Sequence, residues 1–316
     1  MRQFDTVIVG GGPAGLSAAL TLGRSRRDVL VLDSGEYRNA PTHASHNFLT
    51  QDSVAPGETR RVAHGQLGRY PNVSIKAGRA SAAEGTIGSF TLRLDGGETV
   101  ATRTVILATG VRDELPPIDG LPEIWGRTAI HCPYCDGWEN RDRPTAVLAP
   151  GELTNPIASH MAALIRNLTA DLVMLTNGLA ELDDDNRARL GELGIAVEER
   201  PISRLASDAG QLERVVFTDG NDLAREVLYV VPTPHPNNSL GIALGCDVTT
   251  EGMVPGQFRV DATGQTTVPG VFAAGDIASQ APSVAVAVAS GAMAGAWVNV
   301  ALTTLTPLRV PVAAPV

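Results

Sequence analysis

Short apolar runs alternate with longer segments of helical periodicity from the first residues of the chain. The pattern predicts a buried strand at residues 4–9, a helix at 14–23 and a second strand at 28–32 that ends at Asp33. A strand, a helix and a strand in so short a stretch form the repeating unit of a doubly wound α/β fold. The chain therefore opens with a predicted dinucleotide-type domain.

A second strand–helix–strand unit is predicted in the middle of the chain, at 145–148, 156–168 and 171–175. An acidic surface helix at 181–193 and a long apolar helix beginning near Ser283 are also expected, whereas residues 40–70 look irregular and polar. The other predicted strands are 73–77, 89–94, 104–107, 196–199, 214–218 and 270–274. The expected fold class is α/β with two Rossmann-like domains, the first discontinuous: 1–117 plus 246–316, and 118–245 between them.

Composition narrows the function. The 316 residues carry a net charge of −9, with 25 Lys and Arg scattered among 34 acids, which argues against a nucleic-acid partner. The N-terminus lacks a secretory signal. The uncharged run between Asp276 and Arg309 is rich in Ala and interrupted by Ser, Gly and Asn, so a buried helix is favoured over a membrane span. We expect a soluble, cytoplasmic protein.

The glycines Gly10, Gly12 and Gly15 form a G-x-G-x-x-G motif between the first strand and the first helix. In that context the glycines permit a tight turn, a close approach of a pyrophosphate and close helix–strand packing. The helix N-terminus would bind the phosphates, and Asp33 is placed to accept hydrogen bonds from ribose hydroxyls. The motif predicts a bound adenine dinucleotide.

Two later segments, residues 105–110 and 270–276, are apolar strands that end in small residues, the second in Gly275 and Asp276. With the glycine motif, they resemble the three signatures of flavoproteins that have two dinucleotide-binding domains. The resemblance implies FAD, with Asp276 at the flavin ribityl chain or phosphate and the helix start at Ser283 and Val284 facing the flavin ring.

The segment from His131 to Gly137 contains Cys132-Pro-Tyr-Cys135, a spacing that brings two sulfurs to disulfide distance. A zinc site needs two more ligands, and the third cysteine, Cys246, is remote, so no metal is expected. A dithiol and a flavin each carry two electrons. Asp136 is the obvious acid/base, with a helix cap or a turn as the alternative role.

This ordered set of motifs resembles the low-molecular-weight thioredoxin reductase family along essentially the whole chain. The resemblance implies that Cys135 is next to the flavin, that Cys132 exchanges with substrate and that Asp136 moves protons. It also implies a homodimer.

The second nucleotide motif of that family is not preserved at residues 147–156. Only Gly151 remains, Pro150 lacks an N–H, and Glu152 places a negative charge where phosphates would bind. The following strand ends without an arginine for a 2′-phosphate. NADPH is therefore not expected as electron donor.

Without NADPH, electrons would enter from a substrate dithiol and leave to oxygen, giving hydrogen peroxide. The chain resembles the thioredoxin reductase-like dithiol oxidases of holomycin and gliotoxin pathways, in part through the segment 46–52. The resemblance places His46 and Asn47 near the flavin, whereas His131 is either a thiol base or a structural hydrogen-bonding residue. Many members of this subgroup have His where this chain has Asp136.

The expected catalytic residues are Cys132, Cys135, Asp136 and His131, and the expected partners are a small dithiol and oxygen. A disulfide reductase driven by NADPH or ferredoxin and a non-catalytic flavin-bound redox sensor stay as alternatives. The expected cofactor-binding residues are Gly10, Gly12, Pro13, Ala14, Gly15, Asp33, Ser34, His46, Asn47, Ala80, Ala108, Thr109, Gly110, Gly275, Asp276, Ser283 and Val284.

Overall fold

The first β–α–β unit is present in the computed structural model, which describes residues 3–149, 159–178 and 182–305. Strand β1 (Gln3–Val9) leads into helix α1 (Pro13–Arg24) and then strand β2 (Val29–Asp33). The two strands pair in parallel, and every residue of β2 is buried. Because β2 is buried along its whole length and β1 is buried from Asp5 to Val9, both strands belong at the centre of a covered sheet. This part of the sequence prediction is confirmed.

The strand β1 lies inside a seven-stranded mixed sheet. Its path runs β3-β2-β1-β6-β5-β4, and β17 pairs with β6. Strand β5 pairs antiparallel with both of its neighbours, β4 and β6, whereas β17 is parallel to β6. The added strands are β3 (Val73–Ala77), β4 (Ala80–Thr86), β5 (Ser89–Leu94), β6 (Thr99–Leu107) and β17 (Val271–Ala273). The carboxyl ends of β1, β2, β6 and β17 therefore point the same way, which places the residues after them at one edge.

The long apolar helix α8 (Val284–Leu302) packs along α1 at close range. A Cβ on Gly291 would overlap the backbone of Ala14, and one on Gly295 would crowd Ala18. The helix has the length and apolar composition of a membrane span, a property that core helices of soluble proteins share. It was expected to be buried all round, but its outer face is exposed at Met293, Trp297 and Val300.

The middle of the chain forms a five-stranded parallel sheet with the order β11-β10-β9-β15-β8. A separate antiparallel sheet, β12-β13-β14, covers part of its core. The strands are β8 (Ala129–Ile130), β9 (Thr145–Leu148), β10 (Leu172–Leu175), β11 (Ala196–Glu198), β12 (Ile202–Asp208), β13 (Gln211–Phe217), β14 (Asp222–Ala224) and β15 (Val227–Val230). The helices are α3 (Leu121–Ile124), α4 (Pro133–Asp136), α5 (Ser159–Ile165) and α6 (Asp184–Glu192). The second Rossmann-like unit is thus confirmed, and with it the α/β fold class.

The chain divides into two compact units. Unit 1 is Met1–Arg38, Gly57–Arg112 and Pro234–Val316, and unit 2 is Asn39–Pro56 and Asp113–Thr233. Short paired strands β7 (Val111–Glu114) and β16 (Thr233–Pro236) lie where the chain passes between them, and the short helix α7 (Ser239–Ala243) follows.

These bounds differ from the predicted 1–117 plus 246–316 and 118–245 mainly at residues 39–56. That segment belongs to unit 2, where Pro41 packs so tightly on Gly126 that a Cβ there would overlap it. No local sequence pattern marks such a packing contact. Domain bounds as functional units stay a prediction.

The prediction that residues 40–70 are irregular is wrong in its second half, where helix α2 (Pro56–Leu67) forms. Pro56 and the first-turn Glu58 are favourable helix-starting residues. Only Leu67 among its apolar side chains is fully buried, so the helix lacks the broad apolar stripe that marks helices in a sequence. Strands β4, β7, β8, β12, β14, β15 and β16 were also missed.

Several sequence predictions lie outside the described residues. They are the altered nucleotide motif beyond Ala149, the start of the helix predicted at 156–168, the start of the acidic helix at Glu181 and the C-terminal tail.

Candidate active site

The glycine motif of unit 1 forms a turn that only glycine accommodates. Gly10 has φ of 118°, and a Cβ there would overlap the carbonyl oxygen of Ala108, while one on Gly15 would overlap the carbonyl oxygen of Gly10. Gly12 is the N-cap of α1 and makes no side-chain cap, and open space lies where its Cβ would be. In the first turn of an α-helix the backbone N–H groups, here from Ala14 onward, have no hydrogen-bond partner within the helix. Pro13, the first residue of α1, has no N–H at all. The turn thus presents an uncapped, open helix N-terminus suited to a phosphate group.

Asp33 lies beside this turn, at the end of β2. Its carboxylate faces Gly11, where a Cβ would overlap it, and accepts hydrogen bonds from the Gly35 N–H at 3.0 Å and the Tyr37 hydroxyl at 2.6 Å. Burial and the bond to Asp33 raise the pKa of Tyr37 to about 12, so the phenol stays a donor. The Arg60 guanidinium lies 3.8 Å from the centre of the Tyr37 ring. Tyr37 and Arg60 were not predicted, because neither belongs to a recognised motif.

The residues after β6 and β17 complete this edge of unit 1. Thr109 donates to the Asn237 carbonyl at 2.7 Å and accepts from the Asn237 amide at its own carbonyl at 2.9 Å, which holds the turn at Gly110. Gly275, with φ of 80°, donates its N–H to Ser290 at 3.0 Å. Ser283 caps α8 by accepting the Val286 N–H at 3.2 Å, so its hydroxyl has a structural role as well as the predicted one.

Asp276 is held by an arginine that the sequence did not single out. The Arg38 guanidinium lies 2.9 Å from its carboxylate, and about one fifth of each side chain is exposed. Gln257 also donates to the Asp276 carbonyl at 2.6 Å. The glycine turn, the ribose-type acid and the Gly275–Asp276 turn lie within unit 1, and this donor set fits a flavin dinucleotide.

Four predicted cofactor contacts lie elsewhere or have local roles. Ala80 begins β4, and the Ser34 hydroxyl accepts the Glu36 N–H at 3.4 Å. His46 and Asn47 lie in unit 2. Their contact with a flavin stays a prediction.

The cysteine pair of unit 2 is a disulfide on α4. Cys132 is the N-cap of this short helix, 5.2 Å from Cys135 between Cα atoms, and its Sγ accepts the Cys135 N–H at 3.1 Å. That hydrogen bond would stabilise a thiolate at Cys132 once the disulfide opens. The aromatic side chains Tyr134 and Trp138, each 67% exposed, follow the sulfurs along the same turn. Both cysteines are themselves partly exposed, so a small molecule can approach the pair from solvent.

Asp136 directly follows Cys135 and is half-buried. Burial raises the pKa of its carboxyl to about 6, while the positive charge of His46 lowers it and the negative charge of Glu139 raises it. A carboxyl with a pKa this near neutrality can both take and return a proton during thiol exchange. This environment fits the predicted role of Asp136 as acid/base. The alternative role, a helix cap, is not needed to explain an aspartate at this position.

The sequence leaves two roles open for His131, a thiol base or a structural hydrogen-bonding residue. The His131 ring stacks on Trp125 with 5.8 Å between ring centres, which favours the structural role. Cys246 is buried, and burial raises the pKa of its thiol. Its Sγ lies 3.4 Å from Thr266 Oγ1 inside unit 1, where the side chain fills space.

A histidine–carboxylate pair beside the disulfide was missed by the sequence analysis. His46 Nδ1 lies 3.4 Å from Glu139 Oε1, with Ser53 Oγ at 3.3 Å and Asp52 Oδ1 at 4.0 Å. The two residues come from distant segments, so nothing local signals the pairing. Within the described residues, no group of three or more His, Cys, Asp or Glu is arranged to hold a metal ion.

Comparison with known proteins assigns the family. Residues 4–291 match the model of the pyridine nucleotide-disulphide oxidoreductases. The chain is 35% identical to the thioredoxin reductase tcpT of Claviceps purpurea (strain 20.1) over 297 residues, covering 92% of each chain. Among solved structures, an oxidoreductase from Agrobacterium tumefaciens is 40% identical with a TM-score of 0.89, covering 96% of this chain and 99% of that one. The protein HlmI is 36% identical with a TM-score of 0.88, covering 96% and 93%.

The family implies a flavin cofactor, which agrees with the glycine turn of unit 1, and it consists of oxidoreductases that act on disulfides. With the disulfide of α4 and both Rossmann-like units in place, the chain belongs to the pyridine nucleotide-disulphide oxidoreductase family as a thioredoxin reductase-like enzyme.

Proposed function

We propose that this enzyme is a dithiol oxidase that closes a disulfide in a small substrate and passes the electrons, through Cys132–Cys135 and FAD, to oxygen. The observation that carries the proposal is the disulfide on α4, with a carboxyl of pKa about 6 beside it and exposed aromatic side chains around it. A dithiol and its base next to open solvent suit exchange with a small thiol substrate.

The protein's own residues account for the first half of the reaction. One substrate thiol, deprotonated by Asp136, attacks Cys132 Sγ, and the bond between the two cysteine sulfurs breaks. The second substrate thiol then attacks the sulfur bound to Cys132, which closes the substrate disulfide and releases Cys132. In total two S–H bonds of the substrate are lost and two cysteine thiols form. A bound FAD would supply the two-electron chemistry that returns the cysteine pair to the disulfide and reduces oxygen to hydrogen peroxide.

Sequence features of unit 2 support oxygen rather than NADPH as the redox partner of the flavin. The motif that would bind NADPH phosphates carries Pro150, Leu153 and Thr154, with Glu152 among them. After β10, the side chain of Asn177 accepts the Ile202 N–H at 2.6 Å, where a 2′-phosphate site would need a cation. The resemblance to dithiol oxidases of natural-product pathways points the same way.

The exposed aromatic residues support a small, apolar substrate. Tyr134 and Trp138 are four positions apart around the disulfide, and the Arg141 guanidinium lies 3.9 Å from the centre of the Trp138 ring. Aromatic surface held in this way offers stacking area at low cost in side-chain entropy. A homodimer and a cytoplasmic location stay predictions.

The second candidate is a disulfide reductase driven by NADPH, and the name thioredoxin reductase of the relative tcpT favours it. The deciding experiment is reduction of the bound flavin under nitrogen by stoichiometric NADPH or by a small dithiol such as dithiothreitol. We expect the dithiol to bleach the flavin rapidly and air to restore the colour with release of peroxide. Rapid bleaching by NADPH with none by the dithiol would overturn the proposal. Bleaching by the dithiol without repeated turnover in air would instead indicate a redox sensor.

A further inference from the structure

The segment 39–56 is built to hold His46 in one position. The Ser45 N–H donates to the Val54 carbonyl at 2.8 Å, which closes the segment into a loop, and the Asn47 N–H donates to the Asp52 carboxylate at 2.8 Å. Asn47 and Ser53 have left-handed φ values of 56° and 63°, an uncommon conformation for such residues. The base of the loop therefore presents one ring, that of His46, to the residues after the cysteine pair.

Glu139 is the main partner of that ring. Glu139 Oε1 is 3.4 Å from His46 Nδ1, against 4.0 Å for Asp52 Oδ1. Glu139 is 38% exposed and Asp52 66%, so water screens the second contact more strongly. Only 14% of the His46 side chain is exposed. The His46–Glu139 contact is thus partly shielded from water, whereas Asp52 chiefly organises the loop.

Asp136 lies within the field of both members of this pair. It is three positions before Glu139 in the turn that follows Cys135, a spacing that puts both carboxylates on one side of a helical turn. The Tyr229 phenol on β15 is buried, and burial together with the negative charges of Asp136 and Glu139 raises its pKa, so it stays protonated. One imidazole, two carboxyl groups and a neutral phenol therefore influence one another in unit 2.

The chemistry proposed above needs such a cluster. Each substrate disulfide moves two protons from substrate thiols to the cysteine sulfurs, while the Cys132–Cys135 bond breaks and the substrate disulfide forms. A single carboxyl beside the pair holds only one of these protons at a time.

We propose that His46 and Glu139 are positioning residues that set the protonation of Asp136 in opposite directions and so form, with it, the proton store of the thiol–disulfide exchange. His46 favours the ionised form of Asp136, which accepts a proton from the substrate, and Glu139 favours the protonated form, which returns it. The inference rests on the proposed dithiol chemistry.

The test compares His46→Gln and Glu139→Gln with Asp142→Asn as the matched control, because Asp142 is an exposed carboxylate of the same unit that does not contact His46. The Asp136 carboxyl is followed in protein labelled with ¹³C at the aspartate side chains, with Asp136→Asn identifying its signal. The His46 variant should have a higher pKa at the Asp136 carboxyl, read as its titration midpoint, and the Glu139 variant a lower one, each by about half a unit to one unit. The control should leave it in place. In the pH profile of anaerobic flavin reduction by dithiothreitol, the midpoint of the acid limb should likewise rise in the His46 variant and fall in the Glu139 variant.

The proton store is overturned if the two variants melt like the parent protein and dithiothreitol reduces their flavin normally, but both Asp136 midpoints move in the same direction or neither moves. If dithiothreitol fails to reduce the flavin of the parent protein at any pH, the proposed function itself fails, whatever the midpoints do. The two failures are therefore separate observations. If either residue had only a structural role, its variant would slow flavin reduction equally on both limbs of the pH profile. The two variants would then not move the midpoints in opposite directions.

Discussion

The Arg38 guanidinium lies 2.9 Å from the Asp276 carboxylate and joins a residue just beyond β2 to one just beyond β17. Both side chains are mostly withdrawn from water, so the charge of each is balanced mainly by the other. Asp276 is the residue that the family resemblance places at the flavin ribityl chain or phosphate. An unpaired carboxylate there would oppose an anionic cofactor.

Replacing Arg38 by Gln should therefore weaken flavin binding. We expect the dissociation constant of FAD to rise about tenfold, which corresponds to about 1.4 kcal/mol. Fluorescence of released flavin during dilution or dialysis measures it. Arg79→Gln is the control, because Arg79 pairs with the exposed Glu36 in the same unit. Equal flavin loss from both variants would contradict a specific role for Arg38.

The close crossing of α1 and α8 gives a second prediction. Because a Cβ on Gly291 would overlap the backbone of Ala14, Gly291→Ala should separate the helices and destabilise the fold by about 1–3 kcal/mol. Gly65→Ala, on α2 with open space around it, should be neutral or stabilise by up to about 1 kcal/mol. Urea unfolding measures both. A Gly291 variant as stable as the parent would mean that the helices can shift apart without cost.

The three cysteines should differ sharply in reactivity. Cys135→Ser should keep its flavin and lose reduction by dithiols, because the disulfide that receives the electrons is gone. The matched variant Cys246→Ser should be reduced at the normal rate, since Cys246 is buried in the core of unit 1, whereas the pair belongs to unit 2. Stopped-flow absorbance measures both rates. Normal reduction of the Cys135 variant would remove that residue from the mechanism.

Asp136 makes stability depend on pH. Its folded pKa of about 6 lies above the ordinary value, so the folded state holds its proton more tightly than the unfolded state. The stability attributable to this group is present at acid pH and falls as pH rises from the unfolded value through about 6. Asp136→Asn should therefore gain stability relative to the parent over this window, by about 1 kcal/mol because water still reaches the site. Thermal melts at several pH values measure it, and a constant difference between the two proteins would contradict the raised pKa.

Local sequence was sufficient for the chemistry-bearing turns. Gly10 must be glycine because of the backbone conformation that a strand-to-helix turn imposes, and the spacing of Cys132 and Cys135 alone brings their sulfurs together. Most of the parallel strands were readable because they are short runs of mainly apolar residues, although the equally apolar β15 was missed. Helix α2 was not, since its contacts bury little apart from Leu67 and leave no apolar stripe.

The sequence by itself thus determined the two Rossmann-like units, the dinucleotide turn and the redox pair, because each depends on neighbouring residues or on a simple period of apolar positions. Only the tertiary structure decided that residues 39–56 belong with the cysteines and that His46 meets Glu139 beside Asp136. It likewise decided that Arg38 neutralises Asp276. These relationships join side chains far apart in the chain, and the charge and burial that set their chemistry exist only once the fold has brought them together.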